Sequence, residues 1–301
     1  VLQHARTLLD RVKAYEVKIL GYIAEKQFLK AVTTALHVLG MLGEKFPAKP
    51  RKAVQLYWFA KTRLALKGRD IEGLARLPKM TDPTKSAVMR ILSNVASAAY
   101  YAAPDLFPLI AFRGVRLSLQ YGNAPKSCLW WAIYGFVLCG RVGDITAGSQ
   151  FGQLALTLAE EEEAKTIKPR TVFVVNAFIR HWTEHVTVKL TEFQTMYQAA
   201  LDVGDLEMAA LCAYFYCNTL FVVGTELPRL EREAAVYSDQ MRKLKHEAPL
   251  CFNEMYRQLM LNLIGRSENR CELVGEAYDE KVMLPVHRQA NDLSAIHVVH
   301  F

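Results

Sequence analysis

Trp131-Ala-Ile-Tyr-Gly-Phe-Val-Leu-Cys-Gly-Arg-Val-Gly-Asp-Ile-Thr-Ala-Gly-Ser-Gln-Phe151 is the stretch whose reading decides the fold. Apolar residues recur at steps of three and four on both sides of residues 141–144, and Gly143-Asp144 supplies a helix stop followed by a helix start. Trp131, Tyr134, Gly135 and Leu138 then fall on one helix, and Ala147 and Phe151 on the next. The small Gly135 and Ala147 let two helices approach closely, while Trp131 and Phe151 fill the space beside them. The stretch reads as a helical hairpin.

Outward from it the same pattern continues. Leu190, Phe193, Met196, Tyr197, Ala200 and Leu201 form one apolar stripe, with Lys189, Glu192, Gln194 and Gln198 opposite. Thr171 to Val175 is β-branched, but it runs on to Trp182 with helical spacing. Breaks fall near residues 43–50, 68–82, 121–125, 141–144, 166–169, 204–205, 224–226, 246–249 and 265–269, several with Gly closing one helix and Asp, Asn or Pro opening the next. First helices of successive pairs begin near Thr84, Pro125, Lys168, Asp205 and Glu247. That spacing of roughly 40 residues marks helical-hairpin repeats. The gaps between Trp131, Tyr134, Gly135, Leu138, Ala147 and Phe151 equal those of the W-x2-L-G-x2-Y…A-x3-F pattern of tetratricopeptide (TPR) repeats, with Tyr134 and Leu138 as apolar replacements. Tyr15, Tyr22 and Ala31 repeat part of that register. The fold expected is all-α: an α-α superhelix, or solenoid, of TPR-like hairpins over residues 1–301 as a single region, with a sub-division considered near 69–82.

Composition agrees. Of 301 residues, 51% are hydrophobic and 22% charged, enough apolar content for a large core, while 16 Gly and 11 Pro are too few for a fold of many short strands. The net charge of +7 comes from Lys and Arg scattered among acids with no basic run, so nucleic acid is not the expected partner. Residues 208–225 carry no charge, but acidic flanks (Asp205, Glu207, Glu226) and the absence of a Lys/Arg collar point to a buried helix and not to a membrane span. Six cysteines without a C-x-x-C pair read as free thiols in a reducing, cytoplasmic setting.

One motif could carry chemistry. His181-Trp182-Thr183-Glu184-His185 matches H-x-x-E-H, in which two His one helical turn apart hold zinc and the Glu acts as base. It sits at a helix end just before a turn, and no particular third ligand among Glu231, Glu233 and Glu254 stands out; a capping role against Trp182 is the competing reading. His287, His297 and His300 have no Cys or carboxylate at ligand spacing and read as helix-face residues whose packing partners lie elsewhere. The acids at residues 160–163 read as a solvated turn, with a docking patch for a basic partner as the alternative. Trp130, Trp131, Tyr134 and Phe136 read as core, with a small-molecule pocket near Trp130 and Tyr134 as the alternative. Phosphate loops, kinase signatures and nucleophile elbows are absent. No catalytic, cofactor-binding or metal-binding residue is therefore assigned, with His181, Glu184 and His185 kept as the zinc-hydrolase alternative.

Several stretches carry a family resemblance: Met80-Thr-Asp-Pro-Thr-Lys-Ser-Ala-Val-Met-Arg-Ile-Leu-Ser93, Tyr101-Ala-Ala-Pro-Asp-Leu-Phe-Pro-Leu-Ile110, Val142-Gly-Asp-Ile145, and Gly265-Arg-Ser-Glu-Asn269 followed by Gly275-Glu-Ala-Tyr-Asp-Glu280. They resemble the helical middle region of large bacterial signalling proteins ordered as serine/threonine kinase, STAND/AAA-type ATPase, TPR-like region, GAF sensor and histidine kinase. The resemblance implies a non-catalytic scaffold that docks a protein partner or adjacent domains of its own chain. It also implies that ATP and Mg²⁺ belong to other domains, and that His181, His185 and His287 are not the phosphorylated histidine. Val1 falls inside a helical pattern without a cap and Phe301 ends an apolar run, so the expectation is a segment of a longer protein.

Overall fold

The computed structural model describes residues 7–289 and 292–300. These residues are helical, with no strand among them beyond two isolated bridges, Lys79 with Asn123 and Val274 with Asp279. The chain divides into two compact units, Val1–Thr183 and Glu184–Phe301.

The first unit holds α1 (Leu8–Ala24), α2 (Phe28–Met41), α3 (Lys52–Leu66), α4 (Pro83–Ala102), α5 (Phe107–Tyr121), α6 (Ser127–Val137), α7 (Ile145–Ala159) and α8 (Lys168–Phe178). Three of these starts, those of α1, α4 and α7, are written in short polar side chains. Thr7 and Asp10 close a reciprocal capping box on α1. The Asp82 carboxylate accepts from the Thr84 and Lys85 amides ahead of Pro83 at the first turn of α4, and Asp144 accepts from the Ala147 amide on α7. Packing runs between near neighbours in sequence: α1 on α2, both on α4, α4 and α3 on α5, α5 on α6, α6 on α7, and α8 on both. One apolar core extends through these helices, with Trp130, Trp131, Tyr134, Ile91 and Leu109 among its fully enclosed side chains. Glu44, just after α2, is buried and accepts from Arg113 on α5 (2.6 and 2.7 Å) and Lys85 on α4 (2.9 Å).

Residues 69–82 form a packed turn and not a boundary. Leu74 is buried, and Asn123 fastens the segment three times: its side-chain amide donates to the Leu74 carbonyl (2.9 Å), its backbone N–H to Pro78 O (2.8 Å), and its carbonyl accepts from Met80 N–H (2.9 Å). Gly122 makes this possible. Its φ is +91°, and a Cβ there would collide with the Pro78 carbonyl. The division of the chain falls instead after Thr183, where α8 has already stopped at Phe178.

The second unit holds α9 (Leu190–Asp202), α10 (Leu206–Val222), α11 (Leu227–Leu244), α12 (Glu247–Leu263), α13 (Glu280–Gln289) and α14 (Leu293–His300). Here α10 packs on α9, α11 and α12, α11 on α12, and α14 on α12 and α13. The uncharged stretch at 208–225 is mostly α10, buried from Met208 through Ala213, and no helix among the described residues is long and apolar enough to cross a membrane. The loop between α12 and α13 has little regular structure and is pinned by α12. Gln258 Oε1 accepts from the Ala277 and Tyr278 amides (2.9 and 3.3 Å), and Asn262 Nδ2 donates to the Glu272 and Arg270 carbonyls (2.6 and 3.3 Å). Arg257 bonds Glu231 (2.9 Å) and Glu276 (2.6 Å), and Arg266 reaches the same two acids.

Candidate functional site

The hairpin read first in the sequence is α6 and α7. Trp131 lies flat against Phe151, ring centres 5.7 Å apart and planes at 8°, and Tyr134 meets the same ring edge-on at 4.9 Å. Leu138 is fully buried behind them. The close approach runs through Gly135 and Gly148: a Cβ on Gly135 would stand 2.7 Å from the Gly148 carbonyl oxygen, and one on Gly148 would enter the Cys139 sulfur. Ala147, expected at this contact, is only partly buried. The helix is rotated by one residue relative to the repeat pattern, and a widened turn at Leu138–Val142 accompanies the shift.

Ala147 instead helps line a cleft of about 550 Å³ with Tyr134 and Phe151. Its other wall is the end of α3 and the turn after it, which contribute Leu64, Leu66 and Ile71 and the cations Arg63, Lys67 and Arg69. Arg63 pairs with Asp144 at 2.9 Å, and that hydrogen bond with the Ala147 amide holds the Asp144 carboxyl below the usual range. Burial pushes the Tyr134 hydroxyl up to about 12, Arg63 opposing and Asp144 adding to the shift. The hydroxyl is buried and has no hydrogen-bond partner. This cleft is a partly apolar recess with cations at its edge. Its α3 wall left a trace in sequence, since residues 51–69 contain Arg51, Lys52, Lys61, Arg63, Lys67 and Arg69 and no acid.

The zinc motif does not form as a helical pair. His181 lies in a short 3-10 turn, Arg180–Trp182, that ends the first unit, and its ring centre is 5.1 Å from that of Trp182. His185 opens a different turn, Val186–Lys189, its Nδ1 2.8 Å from Thr187 Oγ1. The backbone between them leaves helical geometry at Thr183 (φ −128°) and His185 (ψ 140°), so the phase that would put both imidazoles on one helix face is lost. His181, Glu184 and His185 are all exposed. Among the described residues no three His, Cys, Asp or Glu side chains are grouped to hold a metal.

His287 departs from its sequence reading. It is buried, with Nε2 3.1 Å from the Tyr278 hydroxyl and 3.6 Å from Cys251 Sγ, and Nδ1 3.9 Å from Asp292. In outline this is a thiol, an imidazole and a carboxylate. The short contact, however, belongs to Tyr278, which competes with the thiol for the same nitrogen. The loop between α12 and α13 brings these residues together, and no sequence spacing announces it. His297 and His300 sit exposed on α14. The acids at 160–163 are tied to the protein's own lysines, Glu160 to Lys168, Glu162 to Lys165 and Glu163 to Lys79. All six cysteines are free; four are buried, and burial raises the thiols of Cys128, Cys212 and Cys217, which keeps them protonated and unreactive.

No protein-family model matches the chain, and no solved structure does. Over 166 residues, 54% of its length, the chain is 20% identical to a hybrid signal transduction histidine kinase G of Dictyostelium discoideum. The matched stretch is 5% of that much longer protein. The chain is thus similar to a small part of a signal-transduction protein.

Proposed function

We propose that this chain is a TPR-like α-solenoid acting as a non-catalytic scaffold inside a multidomain signalling kinase, where it docks adjacent domains or a protein partner and relays their state. The observation that carries the reading is the likeness to one-twentieth of a signalling histidine kinase. In such a match the catalytic machinery has most of a long chain in which to lie elsewhere. Two further features support it. Helices pack on their neighbours in sequence within each unit, the contact pattern of stacked repeats. Parts of the stretches that resemble multidomain kinases also fall on caps, turns and the pinned loop, elements that set the angle between one helix and the next. A cytoplasmic setting fits the free thiols.

The test is phosphotransfer. The purified chain, given radiolabelled ATP and Mg²⁺, should neither label itself nor hydrolyse the nucleotide. Joined to the kinase core of the gene that encodes it, it should change that core's autophosphorylation rate. Transfer by the chain alone, or a core indifferent to its presence, overturns the reading.

A further inference from the structure

Helix α3 is apolar on two faces and packed on one. Its inner face holds Trp58, stacked on Phe46 with ring centres 5.7 Å apart, Phe59, 5.8 Å from Phe112 of α5, and the buried Thr62. α5 is its main helical neighbour, whereas each of the other helices of the first unit packs on at least two. The outer face carries Ala53, Tyr57, Ala60 and Leu64, all exposed, with Leu56 beside them. Leu56 is 67%, Tyr57 61% and Leu64 71% exposed.

Scattered apolar residues on a surface need no explanation; these are ordered. Ala53, Tyr57, Ala60 and Leu64 recur at steps of four, three and four, the heptad spacing of a seam between two helices. Small and large side chains alternate along it, which offers a facing helix both holes and knobs. A helix apolar on all sides is ordinarily enclosed. Among the described residues, nothing encloses this stripe.

Charge selects the occupant. The cations form no run, yet eight of the 37 Lys and Arg fall in residues 45–69, which hold none of the 30 acids, so this segment accounts for the whole net charge of +7. Of the eight, Arg63 alone is ion-paired among the described residues, with Asp144 at 2.9 Å. Lys52, Lys61 and Lys67 are exposed beside or just beyond the seam, and Lys61 lies over the Tyr57 ring, 5.7 Å from its centre. A second copy of this face would set like charge against like. A lipid surface suits it less well, because the aromatic residues that would enter a bilayer interface, Trp58 and Phe59, face inward. An acidic helix matches both the stripe and its sign.

We propose that the outer face of α3 docks an acidic amphipathic helix of a protein partner, its apolar stripe along Ala53, Tyr57, Ala60 and Leu64 and its carboxylates on the flanking lysines. This deepens the scaffold reading and rests on it, giving the docked partner a place and a chemistry.

A fluorescein-labelled peptide of three heptads, Leu at a and d and Glu at e and g, is the probe, and its counterpart with Lys for Glu is the control. Anisotropy with the whole chain should show the Glu peptide binding at micromolar concentration and the Lys peptide not. Leu64→Gln should weaken the Glu peptide about tenfold or more, while Val17→Gln, an equally exposed change on α1, should leave it unaltered. Lys61→Glu with Lys67→Glu should weaken it about tenfold at low salt and less at high salt. All three changes fall on exposed side chains, so the melting temperature should stay within a few degrees of wild type. No binding, equal binding of the two peptides, or indifference to Leu64→Gln overturns the assignment, the last reducing it to unspecific charge attraction. Vesicles of phosphatidylserine and phosphatidylcholine that bind through Leu64 where the peptide does not would give the face to a membrane instead. No kinase or nucleotide enters this measurement, so its failure would remove the surface and leave the phosphotransfer test of the scaffold unaffected.

Discussion

Helices α6 and α12 are both enclosed by other helices, and they reach that state by opposite chemistry. From Ser127 to Val137 nearly every side chain of α6 is buried, and beyond Ser127 and the tyrosine and tryptophan tips they are apolar or glycine. Its neighbours are met by ring stacking and by glycine-to-backbone contact. Along α12 the buried set includes Asn253, Glu254, Gln258 and Asn262, with Arg257 beside them. Gln258 and Asn262 satisfy a loop's backbone, and Glu254 and Arg257 join a cluster of carboxylates and arginines. Where a helix touches helices, shape suffices. Where it must hold an irregular loop, each loop N–H and C=O needs a partner, and the helix supplies polar ones.

The difference sets which substitutions each region tolerates. Trp131→Ala removes the stacked ring over Phe151 and should cost about 3–5 kcal/mol of stability, read as a lowered urea midpoint in the far-ultraviolet helix signal. Leu138→Met, which keeps volume at a fully buried position closing the α6 contact, should cost less than about 1.5 kcal/mol. A volume-conserving change in α12 should not be so mild. Gln258→Met strands the Ala277 and Tyr278 amides and should cost about 1–3 kcal/mol, seen as faster amide exchange through residues 270–279. A mild Gln258→Met beside a severe Leu138→Met would break the comparison.

Acid offers a smaller and sharper contrast within the first unit, whose buried ion cluster joins Glu44 to Arg113 and Lys85. Burial alone would raise the Glu44 carboxyl, but hydrogen bonds donated by Arg113 and Lys85 outweigh it and hold it below its ordinary 4.5. A lowered carboxyl stabilises the fold above its unfolded value, and that contribution disappears as pH falls through the folded one. The wild type should therefore lose stability below about pH 4.5, and Glu44→Gln should flatten that slope while starting from a lower plateau. Urea midpoints at graded pH measure both.

Much of this was legible in the residues. Helix starts at Asp82, Asp144 and Asp205 announce themselves because a short carboxylate ahead of an apolar period has few other uses. Trp131 and Tyr134 meet Phe151, and Gly135 meets Gly148, across two helices joined by a tight turn. The one-residue error at Ala147 arose because the widened turn at Leu138–Val142 changes the phase of the next helix, and no residue type marks such a turn. The H-x-x-E-H pattern, only an alternative in the residues, requires one unbroken helix, whereas β-branched Thr183 ends one turn and His185 begins another. The cleft and the Cys251–Tyr278–His287 contact depend on segments distant in sequence, which periodicity does not register.

The central claim is that each helix is stabilised by the neighbours before and after it. Gly148→Leu tests it most directly, because the side chain would enter Cys139 and the Gly135 carbonyl at the tightest contact of the hairpin. Amide exchange should show protection falling in α6, α7 and α8 while α1, α2, α11 and α12 keep theirs. Uniform loss of protection along the whole chain would contradict stacking by neighbours and point to one indivisible core.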